Sequence, residues 1–130
     1  MPFPQQWLCS AIETAAGCRA YPASVPEVEG IPYVTYEHTR TSYDRTMDGL
    51  VNEATATYQV VIYADTYLAV QELARLVQAN VDNFTGMVGG VTIAHCHIDD
   101  ERDGMPVEFA GEGKPTYSKE QTYLIRYFED

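Results

Sequence analysis

Basic residues are scarce in this chain: eight Lys and Arg stand against 19 Asp and Glu, for a formal net charge of -11. They are scattered from Arg19 to Arg126, so no basic stripe follows a phosphate backbone, and nucleic-acid binding is disfavoured by sign and by distribution. Cysteine is also sparse. Cys9, Cys18 and Cys96 are odd in number and stand at no metal-ligand or redox spacing, which argues for small buried hydrophobes in a reducing compartment rather than a disulfide scaffold. The longest apolar run, around Val60 to Ala64, is far too short to span a bilayer, so a soluble chain is expected. Ala15-Ala16-Gly17-Cys18 has the outline of a lipoprotein cleavage box, but no basic residue precedes it and Glu13 interrupts the segment; it is read as coincidence. A nucleophile elbow, a phosphate-binding glycine loop and an HExxH pair are all missing. No enzyme, catalytic residue or cofactor is therefore expected.

What the chain does have is room for a core and an excess of tyrosine. Its 130 residues fit one domain, 1–130, which buries roughly two thirds of its unfolded surface without staples. Ten tyrosines exceed what one small core needs, and aromatic residues of this kind favour a protein-protein interface.

Hydrophobic periodicity divides the chain. Leu8, Ala11, Ile12 and Ala15 mark a first helix, with Gly17 suited to end it in a left-handed conformation. The segment to Gly30 has no period and reads as a surface connection. Ile31 to His38 reads as a strand, with Pro32 at an edge or first position. Thr39 to Leu50 is polar and ends in the turn signal Asp48-Gly49, so it reads as a projecting hairpin arm. In the next strand, Asn52 to Ala64, the residues Ala54, Ala56, Tyr58, Val60, Ile62 and Ala64 share one face. The period then switches across Asp65-Thr66, either of which can cap a second helix whose stripe is Val70, Leu73, Ala74, Val77 and Val81. A third strand, Val91 to Ile98, leads into an acidic turn, Asp99 to Gly104, and a Gly/Pro-rich loop, Met105 to Thr116. Tyr117 to Phe128 closes the chain as a strand. The expectation is an α+β fold: about four strands in one antiparallel or mixed sheet, two helices on one face, and the projecting hairpin arm.

Two constellations suggest chemistry and are weighed against plainer readings. His95 and His97, two apart on a strand, point to one face at a spacing that can chelate Zn²⁺, and Asp99 continues that face if the strand extends. A third ligand is needed, and His38 is the one other histidine; packing or surface positions are the commoner use, so no metal is expected. Asp99, Glu101, Asp103 and Gly104 match the opening of a calcium loop, but its twelfth place is Ala110 where a bidentate Glu is required. A solvated hairpin turn explains it better.

The segments line up with a family. An N-terminal helix followed by Arg19-Ala20-Tyr21-Pro22, then Gly30-Ile31-Pro32-Tyr33-Val34, the arm ending in Asp48-Gly49, Tyr63-Ala64-Asp65-Thr66-Tyr67 leading into a helix, and Asp100-Glu101-Arg102-Asp103 after a strand resemble the tail-completion, or tail-terminator, proteins of long-tailed bacteriophages and prophages. The match spans most of the chain and rests on the order and spacing of motifs. It implies a virion structural protein, assembled in the host cytoplasm and placed at the head-proximal end of the tail. Such proteins form a ring, commonly a hexamer, on the tail tube, stop its growth and join tail to head. The implied partners are other copies of the chain, the tail-tube protein and a head-completion or connector protein; DNA passes without specific binding, and no membrane is involved. In that setting the arm residues Tyr43, Asp44, Arg45 and Asp48 are the candidates for contact with a neighbouring subunit or the tube. A head-tail connector or stopper subunit is the nearest rival, and a small metal-dependent enzyme using His95 and His97 is the rival of a different class.

Overall fold

The computed structural model describes residues 4–17, 20–22, 32–46, 49–88, 91–104, 107–108 and 115–129. Helix α1 spans Pro4–Ala16, and strand β1, Ala20–Pro22, follows it. A long hairpin comes next, β2 over Tyr33–Thr46 and β3 over Gly49–Ala64, and leads into helix α2, Tyr67–Val81. The chain ends with β4 (Gly86–Val88), β5 (Val91–Asp103), β6 (Val107–Glu108) and β7 (Pro115–Glu129).

The sheet differs from the expected four strands. It is six-stranded and mixed, curled into a half-barrel in the order β1-β2-β3-β7-β5-β4, with β6 laid beside the start of β7. β1 runs parallel to β2, and every other pairing is antiparallel. The additional strands are β1 and β4, each of three residues, too short for alternation to show in the sequence. Three further segments differ. Thr39 to Thr46 is not a free arm but the second half of β2, paired with β3 as far as Thr46↔Gly49. The β3 ladder with β7 stops at Glu53↔Phe128, so the end of the hairpin runs on past β7. The acidic segment Asp99 to Asp103 is the end of β5 rather than a turn, laddered to β7 from Asp100↔Thr122 to Asp103↔Lys119. The Met105 to Thr116 loop contributes β6, paired at Val107↔Thr116 and Glu108↔Pro115; its remainder lies outside the described residues.

The core lies between the helices and one face of the sheet. Ala54, Ala56, Tyr58, Val60, Ile62 and Ala64 are all buried, as β3's period of two requires. Gln121, Tyr123, Ile125 and Tyr127 of β7 share that face, and Leu8, Ala11 and Ile12 of α1 pack onto it. α2 buries Val70, Ala74, Val77 and Val81, whereas Leu73 is half-buried at the margin of the core. Both helix ends follow local chemistry. Gly17 ends α1 at φ 69°, with its amide donating to the Glu13 carbonyl. Thr66 caps α2, its hydroxyl accepting from the Ala69 amide at 3.1 Å. Asn83, at φ 63°, turns the chain back and donates its amide to the Cys96 carbonyl.

Candidate assembly surfaces

The hairpin end is the first surface. Tyr43 pairs with the buried Ala54 across the ladder yet is itself 64% exposed. Between Tyr43 and Arg45 the register shifts, with residues 51–53 of β3 set against Asp44 alone, so the irregularity lies on β3, and Arg45 then stands opposite Leu50. Asp48 lies outside the described residues. The hairpin thus brings Tyr43, Asp44 and Arg45 to one end of the molecule.

The histidines do not assemble. His95 and His97 lie on the face away from the helices, opposite Arg126 and Leu124, with ring centroids 4.9 Å apart. The His97 Nδ1 atom is buried there without a hydrogen-bond partner. His38 is across the sheet on β2 and on the other face, its ring tilted against that of Tyr58 and hydrogen-bonded to the Thr41 hydroxyl. Among the described residues no group of three or more His, Cys, Asp or Glu is placed to hold a metal ion. Cys96, between the two β5 histidines in sequence, points into the core, where burial pushes its thiol up to about 12. A thiol so held is a packing group rather than a nucleophile.

A polar network that the sequence did not single out joins α2 to β5 and β7. Lys119, with a side chain only 12% exposed, donates to the Gln71 side-chain oxygen at 2.6 Å and pairs with Glu101 at 3.2 Å and Asp103 at 3.5 Å. The Asp103 carboxylate accepts from the Gln71 amide and the Tyr67 hydroxyl, both at 3.1 Å. Deeper, the buried Gln121 donates to the Ala74 carbonyl at 3.1 Å and to Glu101 at 2.8 Å, and its oxygen accepts from the Tyr123 hydroxyl. The hydrogen bonds from Gln71 and Tyr67 hold Asp103 below the usual carboxylate range. Burial alone would lower the Lys119 ammonium, but Glu101 and Asp103 outweigh it and hold it above its ordinary value. Tyr123 is pushed far up, chiefly by burial. The arrangement fixes the helix against the sheet; the signal for it was the parity of Lys119 and Gln121, which share the inward face of Tyr123 and Ile125.

The remaining surface is polarised. β5 ends in Asp99, Asp100, Glu101 and Asp103, all exposed, with Arg102 tied across the ladder to Glu120 at 2.6 Å. α2 presents Leu68, 68% exposed, and Leu76, 51% exposed, to solvent. No described helix is long and apolar enough to cross a membrane.

Models of known families give no match to this sequence, and curated proteins give none. Solved structures do: the fold is shared with a chain of the "virion of native gene transfer agent (GTA) particle", with a TM-score of 0.66 over 93% of this chain and 84% of that one. The sequences are 13% identical over the match, so what the two chains share is the fold.

Proposed function

We propose that this chain is a structural subunit of a phage-like virion, and that it forms a ring at the head-proximal end of the tail tube, ending tail polymerisation and joining the tail to the head. The observation that carries this reading is the fold likeness to a gene transfer agent virion chain over 93% of the present one. The order of sequence motifs, which resembles tail-terminator proteins, agrees with it. On this reading the work is binding rather than catalysis, and the partners are further copies of the chain, the tail-tube protein and a head-side connector. The hairpin residues Tyr43 to Asp48 are the proposed reach toward a neighbour. The net charge of -11 per subunit also has a use, since several copies around a channel repel DNA and let it slide.

Location is the test. Particles carrying a gold-labelled or epitope-tagged copy of the chain are imaged, and the label is expected at the junction of head and tail. Label at the distal tip, along the whole tube, or absent from particles would refute the proposal.

A further inference from the structure

Among the described residues the half-barrel has two open strand edges: the β2 edge exposes one cation, Arg40, together with Glu37, and the β5 edge exposes Asp99, Asp100, Glu101 and Asp103 against Arg102 alone. On one side β1 pairs with β2 only at Val34, Thr35 and Tyr36, which leaves Glu37 to Thr46, paired with β3 on its inner side, with no strand on its outer side among the described residues. On the other side β4 pairs with β5 only from Val91 to Ile93. The turn after α2 covers the next stretch, where the Asn83 amide donates to the Cys96 carbonyl and Asp82 accepts from the Ile98 amide. From Asp99 to Asp103 no described strand lies on that edge. Unpaired backbone donors and acceptors on a strand edge are a template for a further strand. Arg40 is exposed on the β2 edge and pairs with no carboxylate among the described side chains. Asp99 and Asp100 are exposed on the β5 edge and take no part in the ion pairs of Arg102 and Lys119. Beside them lies an open cavity of about 300 Å³ lined by Gln78, Ile98, Asp99, Asp100 and Glu101.

We infer that the Glu37–Thr46 edge of β2 in one copy of this chain docks antiparallel beside the Asp99–Asp103 edge of β5 in the next copy, setting Arg40 against Asp99 and Asp100. The inference rests on the ring reading above and names the two surfaces that make the ring. Because they are different surfaces at opposite sides of the sheet, the contact is heterologous, the kind that generates rings when its rotation closes. The register supplies a stagger. Val34 and Asp103 stand at one level of the sheet, linked through Ile62 and Lys119, while Tyr43 and Ile93 stand at the other, linked through Ala54 and Tyr127. The open stretches are therefore at opposite ends, and docked copies are offset along the strands. An offset of this sense accompanies strand tilt when strands close on themselves. β1 and β4 then act as stops that block the other registers. β2 runs antiparallel to β5 within the sheet, and the same sense is kept across the contact.

Cysteine pairing tests the geometry on the full chain. With Arg40→Cys and Asp100→Cys in one chain, mild oxidation of concentrated protein is expected to produce a ladder of covalent oligomers. A control with Gln59→Cys and Asp100→Cys stays a single band, because Gln59 faces away from the helices in mid-sheet. Charge reversal tests the chemistry: Arg40→Asp should weaken self-association by about tenfold or more, and adding Asp100→Arg should restore it. Rings of the native chain without the ladder would overturn edge docking while leaving the ring reading intact. A native chain that stays monomeric with no ladder across the whole concentration range would also overturn it. A ladder together with label at the wrong place in particles would instead refute the tail-terminator reading and keep the edge contact.

Discussion

Gln121 is fully buried among apolar side chains and still makes three hydrogen bonds, to the Ala74 carbonyl, Glu101 and the Tyr123 hydroxyl. Gln121→Leu keeps the volume but strands the Tyr123 hydroxyl and removes the hydrogen bonds to Glu101 and the Ala74 carbonyl, so a loss of about 1–3 kcal/mol is expected in urea denaturation; an unchanged midpoint contradicts the role. Asp103 and Lys119 give the network its pH limits. The carboxyl of Asp103 is lowered, so its stabilisation is complete above the ordinary value of about 4 and is lost as pH falls through the lower folded value. The ammonium of Lys119 is raised, so its contribution is complete below about pH 10 and is lost as pH rises through the higher folded value. Asp103→Asn should therefore make the acid limb of melting temperature shallower below about pH 4, and an acid limb identical to the native one would contradict this. The inward parity of Lys119 and Gln121 was legible in the sequence. Their partners were not, because Gln71, Ala74, Glu101 and Asp103 come from two other elements that only the packed fold brings together.

At the scale of elements, long periodic segments were legible and short or polar ones were not. α2 and β3 announce themselves through unbroken apolar stripes. β1 and β4 have three residues each and owe their existence to the neighbours that they pair with. The distal half of β2 has exposed residues on both faces, so no alternation marks it, and its Thr and Tyr content was the remaining cue. The stripe of α2 was right in composition but not in weight: Val77 is fully buried, whereas Leu73 is at the margin. Val77→Asp should abolish soluble folding, and Leu73→Asp should lower the melting temperature while leaving a folded protein. Equal behaviour of the two in thermal melts would contradict the packing. Thr66→Ala removes the α2 cap and should cost about 1 kcal/mol in denaturant unfolding, with no loss contradicting the cap.

For the whole molecule, one face covered by helices, and, among the described residues, one face without them and two open strand edges, leave surface for contacts with other chains. The composition already suggested this, through an excess of tyrosine and a charge that repels nucleic acid. The strand count and the curl did not show in the sequence, since both depend on long-range pairing across β3, β7 and β5. The central claim is that the chain ends tail growth. It is tested most directly by the tail-length distribution, measured by electron microscopy, of particles produced with the chain absent and with it supplied again. Absence is expected to give overlong or headless tails, with normal length and joining restored on return; headed particles with tails of unchanged length in its absence would contradict the account.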